Sequence, residues 1–443
     1  MKILPDIYSR YYSIIQHHPD IYYQDFIDVE HAVAKSTAVY HGKPIAYHYQ
    51  PLFFSRDDVV RFEELVHTFS KILIKVTAEY LSHPTIRKCF HFSPLMEELI
   101  SIYPGYSMPF PMARFDLFYN YNDTYKFCEI NTDGTSGMNE SNPVEKAVLS
   151  SKIVKVLSKE YRISYFELFY SWIEELLTIY REFSGGMDSR PTIAIMDWEG
   201  VPTIEEFKVF QQLLTQRGCT TVICDPRELK YNGRSLFYKD IPIQLLYRRA
   251  LTFEICQRAD EVQDLLNAYK DGNVCMVGPF RSHIIHNKHI FSVLHNEQVT
   301  DFLSPQEKDF IRAHVPYTKA FSASESNELI IQQKDQFILK PMDRYAAKGV
   351  YIGKDHSQEE WAQIVDSITD DDEYIVQEFI EPPHIDCIEF QDKKPLLESY
   401  NYINGLFVYN GRFSGLYTRT GTSNIIASAT GCKIIPNLYV RKM

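Results

Sequence analysis

Arg114, Asp116, Glu129 and Asn131 fall in two short runs, Arg-Phe-Asp and Glu-Ile-Asn, inside the segment 114–131. Each run lies in an alternating apolar–polar pattern typical of a strand, and a polar turn separates them. Side chains two residues apart in a strand point to the same side. The four polar groups therefore share one face of a hairpin. Oxygens from Asp116, Glu129 and Asn131 beside the Arg114 cation suit Mg²⁺ carrying phosphate, because hard oxygens hold the ion and leave positions for phosphate oxygens. The competing reading is a surface hairpin with scattered charges. Two same-face pairs on neighbouring strands favour the metal.

A second candidate lies far along the chain, at Phe337-Ile-Leu-Lys-Pro-Met-Asp-Arg-Tyr-Ala-Ala-Lys-Gly-Val-Tyr-Ile-Gly353. An apolar strand ends in Lys340, a loop of small residues carries two more cations, and another apolar strand follows. Ala346, Ala347 and Gly349 let backbone N–H groups approach an anion, while Lys340, Arg344 and Lys348 supply charge. Alone, such a loop reads as an ordinary turn. Beside a magnesium hairpin it becomes a candidate phosphate lid. The segment Tyr374-Ile-Val-Gln-Glu-Phe-Ile-Glu381 then reads as a strand running into a polar hinge.

The order Arg-x-Asp, Glu-Ile-Asn, Asn-Lys, Lys-Pro, Gln-Glu-Phe and Tyr-x-Arg resembles the ATP-grasp ligases, in particular their circularly permuted branch, named after glutathionylspermidine synthase. In ordinary ATP-grasp enzymes the metal-binding Glu-x-Asn follows the phosphate-binding lysines. Here Glu129 and Asn131 precede Lys340. The resemblance runs from about Met108 to the C-terminus and, more loosely, over the N-terminal helices.

The resemblance implies an ATP-dependent carboxylate–amine ligase that phosphorylates an acid and lets an amine attack the acyl phosphate. It implies two Mg²⁺ on Asp116, Glu129 and Asn131, with Lys288 and Lys340 on the phosphates. A lid from Arg344 to Lys348 and Gly349 would close over the site. Arg114, Arg419 and Arg344 would serve the reacting groups. The hinge Gln377, Glu378, Phe379 and Ile380 would meet adenine, with Glu378 or Glu381 near ribose. For Arg419 the local sequence fits a charge on a solvated strand face equally well.

Some features depart from that family. Ala346 and Ala347 stand where many relatives carry glycine in the lid. The namesakes often carry an N-terminal cysteine amidase, for which no nucleophile motif is found here, so no accompanying hydrolase activity is expected. The namesake substrates, glutathione and spermidine, do not carry over. Two rivals stay open: a kinase-like ATP-grasp phosphotransferase that stops at a phosphorylated hydroxyl, and a catalytically silent nucleotide-binding protein.

The chain's 443 residues exceed a usual single core, so two or three subdomains are expected. A hydrophobic share of 45% supplies their cores, and no apolar run is long enough to cross a membrane. The N-terminal Met-Lys-Ile-Leu-Pro-Asp lacks a signal-peptide pattern, and a cytoplasmic protein is expected. A net charge of −12 disfavours nucleic acid as the main partner. ATP binding is compatible with it, since a few local cations suffice; the small-molecule carboxylate and amine partners are those the resemblance implies, and the oligomeric state is left open. The eight cysteines form no Cys-x-x-Cys and no zinc-finger spacing, which reads as small buried thiols.

The elements that must hold these residues give an α/β (α+β) chain. The expected units are 1–189, with helices and the metal hairpin; 190–300, a small parallel-sheet domain; and 301–443, the nucleotide-binding part. Ser55 and Asp58 form a capping box before a helix whose core face is Phe62, Leu65, Val66, Phe69, Leu73 and Val76. A helical stretch is expected from about Asn142 to Phe183, then a linker at Ser184-Gly-Gly-Met-Asp-Ser-Arg. Pro191–Asp197, a helix from Thr203 to Gln216 and a strand from Thr220 to Cys224 make a βαβ unit, with further strands at Leu245–Arg249 and Val274–Val277. Asp197, Glu199 and Asp225 lie at the carboxyl ends of its strands, where either substrate contact or simple solvation fits. His283, His286 and His289 recur every three residues, which admits zinc, but no fourth ligand is indicated. Tyr409-Asn-Gly-Arg412 marks a hairpin.

Overall fold

The computed structural model describes residues 3–120, 124–186, 190–343, 348–427 and 431–443. The hairpin turn 121–123, part of the linker (187–189) and the lid residues Arg344, Ala346 and Ala347 lie outside the described residues.

Three sheets position the candidate residues. The largest is antiparallel. It pairs the strands Met112–Asn120 and Thr124–Asn131 with Lys394–Tyr409, Arg412–Gly421 and Lys433–Ile435 from the far end of the chain. The long strand Lys394–Tyr409 holds two partners, His384–Gln391 along its first half and Met112–Asn120 along its second. The Asn-Gly hairpin forms as expected. Asn410 and Gly411 take φ of 47° and 75°, the left-handed pair that such a tight turn needs.

The second sheet is parallel, with Ile193–Met196 flanked by Thr221–Cys224 and Leu245–Arg248, and Cys275–Val277 outside the latter. The helix Ile204–Gln216 crosses between its first two strands, so the expected βαβ unit is present. The third sheet is antiparallel and joins Thr318–Ala320, Tyr374–Glu378, Phe337–Pro341 and Tyr351–Ile352.

The helix Arg56–Ser82 carries the expected capping box and buries Phe62, Leu65, Val66, Phe69, Leu73 and Val76. Phe69 stacks on Phe127, with 4.1 Å between ring centroids, and meets Phe115 edge-on. That apolar contact sets the outer face of the hairpin 112–131 against a helix and leaves its polar face turned inward. The helical stretch expected from about Asn142 to Phe183 is interrupted by a strand. Helices Met138–Leu149, Lys152–Leu157 and Phe169–Phe183 enclose a strand, Tyr161–Tyr165, that pairs with Asn437–Lys442. Alternating Tyr161, Ile163 and Tyr165 favour a strand once a partner is available, and that partner is the distant C-terminal strand. Among the described residues, no helix is long and apolar enough to cross a membrane.

Candidate functional site

The hairpin register places Arg114 directly opposite Asn131, and Asp116 directly opposite Glu129. Directly opposed residues share a face, so all four polar side chains meet on one side. Immediately afterwards the register slips: Leu117 pairs with Phe127, which leaves Cys128 as the extra residue of a bulge. The Cys128 carbonyl accepts a hydrogen bond from Lys340 Nζ at 3.3 Å. The bulge thereby turns a main-chain oxygen toward Lys340 of the third sheet.

Asp116 is fully buried and tied on several sides. Arg114 donates to it twice, Nε to Oδ1 at 2.6 Å and Nη2 to Oδ2 at 2.8 Å. Arg419 Nη2 adds a bond at 2.7 Å and Asn131 Nδ2 one at 3.3 Å. The Asn131 amide also donates to Glu129 Oε1 at 3.2 Å, which directs its own oxygen away from both carboxylates. Arg419 Nε is buried with no hydrogen-bond partner among the described residues. Such a donor is costly unless an incoming oxygen takes it.

Glu129, Arg114, Asn131 and Arg419 line a cavity of about 350 Å³ together with Lys288, Lys340 and His286. Burial pushes the Glu129 carboxyl up, but Lys288, Arg419, Arg114 and Lys340 outweigh it and hold it down to about 2. Burial lowers the Lys288 ammonium, against the pull of Glu129. Lys288, Lys340, Arg114 and Arg419 converge around Glu129, with Asp116 behind it, and Glu140 also lines the space. Four cations gathered away from bulk water suit a polyanion. Glu129 and Asn131 line this space, and their oxygens are the hard donors that fit Mg²⁺.

The other end of the cavity is apolar, formed by Phe127, Pro316, Ile338, Val350, Ile352, Phe379 and Ile380. Gln377 lies between the two ends. Its Oε1 accepts from Lys340 at 2.7 Å and its Nε2 donates to Thr318 at 2.9 Å. The Glu378 and Phe379 amides are already bonded, to the carbonyls of Tyr317 and Gln336. The Ile380 amide has no such bond among the described residues, so it is the hinge donor left for a flat ligand.

The structure thus gathers Arg114, Glu129, Asn131, Lys288, Lys340, Gln377, Glu378, Phe379, Ile380 and Arg419 around one cavity, with Asp116 beneath its floor. It does not bring Lys348, Gly349 or Glu381 to the lining. Lys348 lines a neighbouring cavity with Asp343, Asp371 and Asp372. Gly349 has φ of 74°, a conformation that suits glycine. Glu381 is drawn to Lys354 at 2.7 Å on the surface. Asp197, Glu199 and Asp225 line a third cavity at the carboxyl ends of the parallel strands, where burial pushes Asp197 up to about 7. His283 is clasped between Asp133 at 3.6 Å and Asp343 at 3.4 Å.

Tyr417, quoted in the sequence only as the first residue of Tyr-x-Arg and given no role, joins the site with Glu140 and Gly405, which were not singled out. The Tyr417 ring lies beneath the guanidiniums of Arg114 and Arg419, at 5.1 and 5.6 Å, and its hydroxyl donates to Glu140. Strand alternation carried the signal for Tyr417, which is two residues before Arg419 and so on the same face. A glycine inside an apolar strand carried it for Gly405, since such a glycine often marks a close approach. A Cβ there would lie 2.6 Å from Arg114 Cδ and 2.9 Å from Asp116 Oδ1.

The family described as glutathionylspermidine synthase preATP-grasp matches residues 28–439. An ATP-grasp enzyme, ankG of Aspergillus thermomutatus, is 26% identical over 209 residues, which is 43% of this chain and 40% of that relative. The chain thus matches well under half of that relative's length. A glutathione synthetase-like effector from Globodera pallida, solved in its apo form, superposes with a TM-score of 0.57 at 13% identity, over 95% of this chain and 97% of the other. D-alanyl-alanine synthetase A from Vibrio cholerae overlaps 57% of this chain and 88% of its own, at 10% identity and a TM-score of 0.30.

Proposed function

The chain belongs to the glutathionylspermidine synthase preATP-grasp family and has its mixed α/β ATP-grasp fold, and on that premise we propose that it is an ATP-dependent carboxylate–amine ligase working through an acyl phosphate. The observation that carries this reading is the single cavity in which Lys288, Lys340, Arg114, Arg419 and Glu129 meet an apolar hinge end. Adenine fits the hinge, where the Ile380 amide is left to donate. The triphosphate fits the lysine end. The order of parts, hairpin before lysines, supports the permuted branch. The units 1–189 and 301–443 would then form one ATP-grasp body, with 190–300 as the preATP-grasp sheet between them in sequence.

A carboxylate and an amine do not condense in water, because the carboxylate oxygen is a poor leaving group. Phosphoryl transfer from ATP makes it a good one, and the protein's part is to position reactants and neutralise charge. Glu129 and Asn131 would hold Mg²⁺, and Asp116 would join them by giving up a guanidinium hydrogen bond. When bound, Mg²⁺ supplies charge neutralisation on the phosphates. Lys288 and Lys340 hold the phosphate chain, with Lys340 steered by Gln377 and the Cys128 carbonyl. Arg114 and Arg419, fixed on Asp116, face the acid and then the developing oxyanion. Arg344, Lys348 and Gly349 belong to a lid that keeps water from the acyl phosphate. The substrates are small molecules rather than nucleic acid, in keeping with the acidic chain.

ADP release with Mg²⁺, screened against pools of amino acids, small peptides and polyamines, tests the reading. Release should rise with a carboxylate pool and rise further when an amine pool is added. A protein that no pool stimulates is not this ligase.

A further inference from the structure

Glu140 has no part in the chemistry described so far, although it lines the same cavity as Glu129, Lys288 and Arg419. It stands in the first turn of the helix Met138–Leu149, where an acidic residue commonly does no more than offset the helix dipole. That task is already met by another group. Glu206 Oε2 accepts from the amides of Gly137 and Asn139, both at 3.1 Å, and Arg249 fixes Glu206 Oε1 at 2.9 Å. Glu140 is held instead by its side chain, as Tyr417 donates its hydroxyl to Oε2. Its Oε1 has no hydrogen bond among the described residues.

Hydrogen bonds, ion pairs and ring contacts set Glu140 at one end of a sequence of groups. Lys340 bonds the Cys128 carbonyl beside Glu129, Asn131 joins Glu129 to Asp116, and Asp116 holds Arg114 and Arg419. Tyr417 underlies both guanidiniums and ends on Glu140. The lysines that suit phosphate are thus at one end and a carboxylate is at the other, with the arginines between. An acyl phosphate held on the arginines would turn its phosphate toward the lysines and leave its other side to Glu140. The polar Tyr40, Ser136 and Thr203 also line this cavity.

From this arrangement we infer that Glu140 receives the amine substrate as an ammonium ion and takes its first proton, with Tyr417 holding the carboxylate in place. The inference rests on the ligase reading above. An ammonium has no lone pair with which to attack. Transfer of one proton to Glu140 Oε1 frees the nitrogen, which forms the C–N bond while the C–O bond to phosphate breaks and phosphate leaves with that electron pair. The nitrogen's second proton departs with it as hydrogen phosphate, and Glu140 returns the first to solvent. Burial lifts the Glu140 carboxyl above its ordinary range, against the Tyr417 hydrogen bond, and so makes it a better proton acceptor.

Two nucleophiles separate this role from a structural one. Hydroxylamine is neutral near pH 7.5 and attacks without a base, whereas methylamine is almost wholly protonated. Wild type and Glu140→Gln are given ATP, Mg²⁺ and a pool of common amino acids and short peptides as acids. Glu140→Gln should lower methylamide formation about 100-fold, with hydroxamate formation largely spared. Its methylamide rate should climb steadily with pH as free amine accumulates, and Glu140→Asp should recover part of the loss. Equal loss with both nucleophiles, or loss with neither, overturns the assignment. Wild-type enzyme that yields neither product from any acid overturns the ligase reading, and this inference with it.

Discussion

Asp116 and Glu129 sit directly across the hairpin from one another, yet only Glu129 faces the cavity. Asp116 lies behind it with both oxygens occupied by Arg114, Arg419 and Asn131. One carboxylate therefore faces a ligand directly, and the other orients two arginines and would reach a metal only by giving up one of their hydrogen bonds.

This division predicts different failures. Glu129→Ala and Asn131→Ala should abolish turnover while leaving the fold and much of the adenine affinity intact, because they act on phosphates and metal. Asp116→Ala should instead cost about 3 kcal/mol or more of stability, since it leaves two buried guanidiniums without their counter-charge. Thermal unfolding and steady-state turnover of the three variants check this. Substantial turnover by Glu129→Ala would sink the assignment of the hairpin.

Lys340→Ala should weaken binding of a non-hydrolysable ATP analogue by roughly 10- to 100-fold, the loss of a charge-assisted bond in a partly dry site. Lys354→Ala should change it less than about twofold, because Lys354 makes an exposed pair with Glu381. Isothermal titration of both variants decides. Equal affinities would remove Lys340 from the phosphate site.

Much of this site was legible because strand alternation is a strong local rule. Arg114, Asp116, Glu129 and Asn131 share a face by period alone, and the Asn410–Gly411 turn follows from its dipeptide. The Cys128 bulge was not legible, since register depends on which residues a partner strand offers. Nor was the broken helical stretch, because the strand Tyr161–Tyr165 exists only through pairing with a segment near the far end of the chain. Glu140 escaped notice for a similar reason. Its meaning comes from Tyr417, distant in sequence, and from Glu206 having taken the helix-capping task.

Gly405→Ala tests how tightly the sheet is built around the site. The new methyl would press on Arg114 and Asp116 from the neighbouring strand. Overpacking of this kind typically costs about 1–3 kcal/mol. Turnover should fall further than ATP affinity, since the displaced groups are the arginines rather than the lysines. A melting curve and activity both like wild type would show that the pair yields without consequence.

On the acid side buried groups oppose one another: burial holds His286 and His289 down to about 4, which adds stability as pH rises toward 6.5, while it pushes Asp197 and Glu145 up to about 7, which removes stability over the same range. Burial also opposes the His283 cation, but Asp343 and Asp133 outweigh it and raise it to about 9. Its contribution is complete below about 6.5 and is lost as pH rises toward 9. Each histidine accounts for at most about 1.4 kcal/mol per pH unit inside its window. Melting temperatures should fall from about pH 7 to pH 9, and His283→Gln should flatten that alkaline flank. An unchanged alkaline flank in that variant would refute the assignment.

The last prediction separates ligase from kinase. If the acid is activated as an acyl phosphate, a suitable acid and ATP should give a species that hydroxylamine traps as a hydroxamate without the natural amine. Arg419→Ala should reduce trapping more than it reduces ATP binding. Its Nε is a buried donor with no partner among the described residues, and the oxygens proposed to meet it develop charge only as phosphate transfers. The loss should be on the order of 100-fold in trapping rate, in line with removal of one donor from a developing oxyanion. Trapping and nucleotide titration on the same preparations make the comparison. A stable phosphate ester in place of hydroxamate, from any acceptor that stimulates ADP release, would replace the ligase by a kinase on the same fold. Equal losses in trapping and binding would move Arg419 from the reacting groups to the nucleotide.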